Sequence, residues 1–310
     1  MDEVADDNVI QSFQLEASNL RGRVIRLGGV LDDILKAHDY PKPVAHLVAE
    51  TSVLALLLSS MLKYEGIFTL QAQGDGPVGM VVADVTDKGD LRACATFDEE
   101  RLGLAREQVE GLKSTEGSRN HLAQYLGKGY VAFTVDPKSE GERYQGIVEL
   151  QGSSLVDCVQ HYFSQSEQIM TGIKMAVGQR DGVWRGGGIM LQRLPEDAKD
   201  EALGNTHEDD WRRAMILMES TKEDEMLDPA LHSNTLLMRL YHEEGIRVYE
   251  PVSVQKICRC SEERVFSTLQ GMSVDDWDYM TEEDGMVKIT CEFCSQKYSF
   301  KRDEFKVSDT

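Results

Sequence analysis

Six cysteines stand in this chain, and four of them form two close pairs near its end: Cys258-Arg259-Cys260 and Cys291-Glu292-Phe293-Cys294. Thiols in such pairs can do two kinds of chemistry. As thiolates, the four can close a tetrahedral shell around one Zn²⁺. Once oxidised, the same four can form two disulfides. The residue types alone leave a structural staple and a redox switch both open. An iron–sulfur cluster is the weaker reading, because zinc modules often combine short pairs separated by tens of residues. The Cys-X-Cys half is shorter than the Cys-X-X-Cys half usual in zinc ribbons, which favours a special role for it.

The remaining candidates carry less. Cys158 and His161 lie three apart on a predicted helix, where a thiol–imidazole pair is geometrically possible. No third group orients that pair, so a buried cysteine beside an incidental histidine is the better reading. Cys94 falls in a predicted strand and reads as a small core residue. His207-Glu208 and His242-Glu243 fail the metalloprotease pattern, since Trp211 and Ile246 stand where the second histidine belongs. Gly127-Lys128-Gly129 lacks the upstream glycine and following hydroxyl of a phosphate loop. Gly186-Gly187-Gly188 lacks a following helix, and both glycine runs read as turn chemistry. No Gly-X-Ser-X-Gly occurs. Nothing in the residues resembles a preorganised catalytic centre, so the chain does not read as an enzyme.

Positioning two cysteine pairs requires elements around them, and the chain is long enough to supply them. Its 310 residues allow one large core plus a smaller module. Its 41% hydrophobic and 28% charged residues predict a packed, soluble protein. Lys and Arg number 33 against 54 Asp and Glu, a net charge of −21. That charge repels phosphate backbones and anionic lipid at long range, which argues against nucleic acid or a membrane as partner. The acidic N-terminus has no basic n-region and no apolar h-region, so it does not read as a secretory signal. The most apolar run, Thr51 to Leu62, is too short to span a bilayer and predicts a buried helix. A cytoplasmic location is therefore expected, where thiols are normally reduced and close cysteine pairs serve metals or redox chemistry.

The pattern along the chain predicts an α+β fold. A polar segment over 8–20 leads into a strand at Arg23–Leu27, and helices follow over Val30–Ala37 and Val44–Tyr64. An antiparallel meander covers Ile67–Ala72, Val78–Val85 and Leu91–Phe97, with turns such as Gly74-Asp75-Gly76-Pro77 between strands. Strands at Tyr130–Val135 and Tyr144–Leu150, a helix capped by Ser153-Ser154 over Leu155–Ser166, and strands at Ile173–Val177 and Gly188–Leu194 complete a first domain, residues 1–195. The composition shifts after Pro195: residues 196–250 hold 15 acidic and 6 basic residues. Two amphipathic clusters there, around Trp211–Met218 and Leu231–Tyr241, predict a helical linker of marginal stability on the surface of the first domain. Residues 251–310 form a small cysteine-bearing module. So few apolar groups barely fold alone, and a structural zinc typically supplies roughly 10–16 kcal/mol of apparent folding energy.

Taken together, the chain resembles the heat shock protein 33 family of redox-regulated holdase chaperones of the bacterial cytoplasm. The resemblance rests on Arg21-Gly22-Arg23, Gly74-Asp75-Gly76-Pro77, Gly127-Lys128-Gly129-Tyr130 and Tyr144-Gln145-Gly146-Ile147-Val148. It rests further on Tyr162-Phe163-Ser164-Gln165-Ser166-Glu167-Gln168-Ile169, on Gly188-Ile189-Met190-Leu191-Gln192-Arg193-Leu194-Pro195, and on the two cysteine pairs. One departure is Met170, where the family commonly has Pro. The resemblance implies an ATP-independent chaperone, inactive when reduced and holding one zinc on Cys258, Cys260, Cys291 and Cys294. It implies oxidation of neighbours, Cys258 with Cys260 and Cys291 with Cys294, with zinc release and protection against oxidative and heat-induced aggregation. It implies unfolded client proteins as partners, a homodimer when active, and hand-over to an ATP-dependent chaperone system. The alternatives are a zinc-ribbon interaction or nucleic-acid module with a static metal, and a thiol oxidoreductase, for which Cys291 and Cys294 lack a thioredoxin-like context.

Overall fold

The computed structural model describes residues 7–111, 121–138, 142–167, 169–193 and 204–305, with side chains described outside 106–111, 121, 167 and 204–207. In chain order, β1 (Val9–Leu15) and β2 (Leu20–Leu27) form a hairpin, followed by α1 (Gly29–Lys36) and α2 (Lys42–Ser59). β3 (Gly66–Gly74), β4 (Val78–Thr86) and β5 (Asp90–Phe97) form the expected meander, and α3 (Glu99–Gly111) and α4 (His121–Tyr125) come next. The hairpin β6 (Gly129–Pro137) and β7 (Tyr144–Glu149) leads to α5 (Leu155–Tyr162) and then to β8 (Thr171–Arg180) and β9 (Val183–Arg193). The acidic segment carries α6 (Gly204–Glu219), α7 (Glu223–Leu227), α8 (Ser233–Tyr241) and the short strand β10 (Ile246–Val248), and two further short strands follow it, β11 (Val252–Ser253) and β12 (Gln255–Lys256). The last elements are α9 (Glu262–Gln270), α10 (Val274–Met280), β13 (Met286–Thr290) and β14 (Lys297–Lys301). The fold is α+β with large antiparallel sheets, as the patterning predicts.

Two compact units emerge, Met1–Lys256 and Ile257–Thr310. In the first, one sheet has the order β10-β1-β2-β9-β8, with β11 also on β1, and the second has the order β12-β5-β4-β3-β6-β7. All pairings are antiparallel except the short β12 beside β5. Helix α2 lies between the sheets, against β3, β4 and β5 on one side and β2, β8 and β9 on the other. That position explains its composition: a helix buried on both sides is apolar all round. Its 18 residues have a mean hydropathy of 1.2, enough to pass for a membrane span, but 78% of the helix is buried inside the fold.

Several boundaries differ from the sequence reading. The polar-looking segment 8–20 contains β1, whose Ile10, Gln11, Phe13 and Leu15 are buried. Helix α2 stops at Ser59 and does not reach Tyr64. Ser59 and Ser60 donate their hydroxyls to the carbonyls of Leu56 and Leu57, at 3.2 and 2.8 Å, and the following amides of Met61 and Leu62 bond three residues back. Side-chain competition of this kind tightens and ends a helix. Helix α5 ends at Tyr162 and passes into a π-turn over Phe163–Glu167; its start is the expected one, with Ser154 and Asp157 in a capping box. Leu194 and the start of the acidic segment lie outside the described residues.

The glycine run Gly186-Gly187-Gly188 is not a turn. It lies in the middle of β9, where it lets helices approach both faces. A Cβ on Gly186 would sit 2.5 Å from Val53 of α2, and one on Gly187 would sit 2.5 Å from the Met226 carbonyl of α7. The acidic segment accordingly docks on the outer face of the first sheet. Ala214, Met218, Leu231, Leu236, Leu237, Leu240 and Tyr241 are buried there against Phe13, Leu15, Leu20, Val24, Ile189 and Leu191. That is more apolar cover than its charge content suggests. Arg213 of α6 and Ser18 of the β1–β2 turn both bond the buried Glu244 carboxylate, at 2.6 and 2.8 Å.

Candidate metal centre

The second unit has 54 residues, counted from Ile257 to Thr310, and its own core is small. Leu269, Trp277, Val287, Phe300 and Phe305 are its buried apolar side chains. Trp277 stacks on Phe305 at 5.6 Å and donates its indole N–H to the Leu269 carbonyl at 2.6 Å. Domains this small usually need a staple as well as a core.

The staple candidates converge from two places. Cys258 and Cys260 lie just before α9, whose N-cap Ser261 accepts the Arg264 amide at 3.3 Å. The Arg264 side chain returns to the Arg259 carbonyl at 2.7 Å, which fixes the backbone between the two thiols. Cys291 and Cys294 sit in the loop of the β13–β14 hairpin. There the Ser295 amide bonds the Cys291 carbonyl at 2.8 Å and the Cys291 amide bonds the Gln296 carbonyl at 2.9 Å. Ser295 takes a left-handed φ of 58° to close this loop.

The four sulfurs lie within 4.8 Å of one another. Cys258 Sγ is 3.7 Å from Cys291 Sγ, and Cys260 Sγ is 3.4 Å from Cys294 Sγ. A regular tetrahedron of sulfurs about 2.3 Å from a zinc ion has edges of about 3.8 Å. The donor set and its spacing therefore fit a four-coordinate thiophilic metal, and all four cysteines are half-buried. Among the described residues this is the one group of three or more Cys, His, Asp or Glu whose ligand atoms approach closely enough to share an ion.

The protonation pattern supports ligation. Burial raises the Cys258 thiol, but the Cys260 amide and the neighbouring thiols that donate to it outweigh burial and bring it down to about 7. Burial pushes Cys291 and Cys294 up. One thiolate thus forms readily at Cys258, and Cys291 and Cys294 need a cation to follow it. Tyr298 adds a contact that sequence reasoning missed. Its hydroxyl donates to Cys260 Sγ at 3.2 Å, an outer-shell hydrogen bond. Its position on β14, close behind Cys294 in sequence, was the available signal.

The other sulfur candidates fall elsewhere. Cys94 is buried in β5. Cys158 is buried in α5 and donates to the Gln151 carbonyl at 3.1 Å, while His161 is exposed, so the possible thiol–imidazole pair is not formed. Burial raises the Cys158 thiol, which makes it inert.

With this geometry in view, the comparisons decide the family. The family model for the Hsp33 protein matches residues 8–301. The chain belongs to the Hsp33 family. The 33 kDa chaperonin of Caulobacter vibrioides is 40% identical over 296 residues, covering 94% of each chain. Those of Shigella flexneri and Escherichia coli are 36% and 35% identical over 291 residues, covering 94% of this chain and 92% and 91% of theirs. The crystal structure of the Thermotoga maritima 33 kDa chaperonin, an Hsp33 homologue, superposes with a TM-score of 0.77 over 96% of both chains at 18% identity, a likeness of fold. The non-cysteine Hsp33 segments lie in the first unit, and the cysteine pairs lie in the second.

Proposed function

We propose that this Hsp33-family chain is a redox-regulated, ATP-independent holdase and not an enzyme, held inactive by one zinc on Cys258, Cys260, Cys291 and Cys294. The observation that carries the reading is the convergence of four half-buried sulfurs from two separate places in a unit with five buried apolar side chains among its described residues. Bound zinc supplies a node joining the start of α9 to the β13–β14 loop, worth roughly 10–16 kcal/mol of apparent folding energy in comparable peptides.

Oxidation then removes that node. Two neighbouring thiolates, Cys258 with Cys260 or Cys291 with Cys294, join as a disulfide and give two electrons to the oxidant. A peroxide taking up two electrons and two protons leaves as two waters. Two such steps consume all four ligands and free the metal. Local disulfides leave the 261–290 stretch unclosed, so the small core alone must hold the unit, and it unfolds.

The chain leaves the first unit at Lys256, two positions before Cys258. We infer that unfolding spreads back through β12, β11 and β10 to the docked helices. Their release exposes the Leu and Met side chains now on the sheet, together with Phe13, Leu20 and Leu191 beneath them. Met215, Met218 and Met226 repack easily and suit varied clients. The acidic residues keep the opened chain soluble. A cytoplasmic location, a homodimer in the active state and hand-over of clients to an ATP-dependent system belong to the same proposal.

The test is a joint titration. Reduced protein is treated with peroxide or hypochlorous acid while zinc release, free thiols and suppression of client aggregation are followed together. The expected result is one zinc released per chain as four thiols disappear and holdase activity rises, unchanged when Cys94 and Cys158 are replaced by Ala. Zinc release without gain of client binding would leave a static zinc module as the correct reading. Catalytic turnover of disulfides would point to an oxidoreductase.

A further inference from the structure

The first unit contains a partly open apolar cavity of about 310 Å³ at the C-terminal end of α2. Its volume falls at the lower end of small-molecule sites. The buried Leu58, Phe68 and Phe133 form its floor, and Tyr162, Phe163 and Ile169 form one wall. The wall is rigid: Tyr162 packs on Phe133 at 5.0 Å and on Phe163 at 5.8 Å. It is also internally satisfied, because the hydroxyls of Tyr144 and Tyr162 bond each other at 2.6 Å. The surface offered to an occupant is therefore mainly hydrocarbon.

The rim is different. Arg21, Gln192 and Arg193 border the cavity from the neighbouring strands β2 and β9, where Arg21 is paired with Gln192. The Arg21 side chain has no hydrogen bond or ion pair among the described residues. Arg23, two residues along the same face of β2, bonds the carbonyls of Ser60 and Gly22, at 3.2 and 2.8 Å, and no carboxylate among the described residues. Burial and the charge of Arg21 both lower the Arg23 pKa. In a chain with a net charge of −21, the Arg21 and Arg23 guanidiniums, which pair with no carboxylate among the described residues, form a local site of the opposite sign beside an apolar cavity.

The same residues belong to segments that the zinc centre does not use. Arg21-Gly22-Arg23, Tyr144 to Val148, Tyr162 to Ile169 and Gly188 to Pro195 were quoted above for the resemblance, and each sends a side chain into this one cavity. We propose that the cavity binds a medium-chain carboxylic acid, with its alkyl tail over Leu58, Phe133 and Tyr162 and its carboxylate on Arg21. An apolar body with one anionic end matches a hydrocarbon floor with Arg21, unpaired among the described residues, at the rim. A nucleotide or sugar would need polar partners that the floor does not offer. The acyl chain of an anionic phospholipid shares this chemistry, but the free acid fits a cavity of this size. The inference does not rest on the redox reading, since none of its residues lies in the second unit.

The test uses the reduced, zinc-loaded full chain and isothermal titration with decanoate, decanol and decyltrimethylammonium. Decanoate should bind at one site, about tenfold more tightly than decanol, as a charge-assisted hydrogen bond implies, and the cationic amphiphile should bind most weakly. Arg21→Met should reduce decanoate binding to the level of decanol without changing decanol binding. Leu58→Trp should remove both; if that variant misfolds, Ile169→Trp narrows the cavity from its wall. Methyl resonances of Leu58 and Ile169 should shift on titration. Absence of binding, equal affinity for acid and alcohol, or indifference to Arg21→Met would overturn the proposal. Binding of phosphatidylglycerol vesicles with no response to decanoate would overturn it in favour of a lipid surface.

Discussion

At the scale of single residues, the cysteine cluster is a problem in charge. Four half-buried thiols cannot all ionise without a cation, and Tyr298 lends one hydrogen bond to the Cys260 sulfur. Tyr298→Phe keeps every ligand, so zinc content should stay at that of the parent. The Cys260 thiolate, relieved of its hydrogen bond, should react faster, and peroxide-driven zinc release should accelerate by about threefold or more. A chromogenic zinc chelator reads both quantities, and an unchanged rate would show that Tyr298 is only packing. Glu50 of α2 is the second residue of interest. Burial pushes its carboxyl up to about 7, against about 4.3 in an unfolded chain. Between those values the folded state holds a proton that the unfolded state has lost, so stability falls as pH rises through that window. Glu50→Gln should therefore stabilise the first unit by about 1–3 kcal/mol at pH 8 and leave it nearly unchanged at pH 4. Urea unfolding at the two pH values checks this.

At the scale of elements, the docking of α7 on β9 decides how firmly the acidic segment is held. Gly187 makes room for Met226, and two buried arginines grip the end of the helix. Arg185 donates to the Leu227 carbonyl at 2.9 Å and pairs with Asp7, while Arg26 donates to the Asp228 carbonyl. A guanidinium at a helix C-terminus meets the negative end of the dipole and satisfies carbonyls that would otherwise lack partners. Gly187→Ala places a methyl 2.5 Å from the Met226 carbonyl, so α7 must lift. The expected cost is about 1–3 kcal/mol, read as faster amide exchange over 223–244 with zinc content unchanged. If the holdase proposal is right, the same variant suppresses client aggregation at a lower dose of oxidant. Unaltered exchange over 223–244 would show that α7 tolerates the shift and holds nothing in place.

At the scale of the whole molecule, the two units differ in what stabilises them. The first has a large core around α2, and the second has, among its described residues, five buried apolar side chains and a sulfur cluster. Removing the metal should therefore unfold one and spare the other. Trp277 is the only tryptophan of the second unit, the others being Trp184 and Trp211. In a Trp184→Phe, Trp211→Phe background, oxidation or Cys258→Ser should shift Trp277 emission to the red as it leaves its stack on Phe305. Amide exchange across β3–β6 should stay slow throughout. Red-shifted emission together with rapid exchange in β3–β6 would mean that the chain unfolds as one body.

What could be read from the chain alone was whatever depends on local spacing. The two cysteine pairs, the β3–β4–β5 meander, the capped start of α5 and the apolar α2 are legible because thiol spacing, period-two alternation and capping chemistry are encoded within a few residues. The sequence also determined the α+β class. Tertiary structure decided the rest. It made β1 a strand by pairing it with β2 and β10, although the 8–20 segment that contains it reads as polar. It placed Gly186-Gly187-Gly188 mid-strand, because the need for a missing Cβ arises only when helices press on both faces of β9. It brought four sulfurs within 4.8 Å and set Tyr298 on one of them. It also gathered Arg21, Tyr144, Tyr162 and Gln192 around a single cavity. Contacts between residues far apart in sequence depend on how sheets stack and chains return, and no local pattern specifies that.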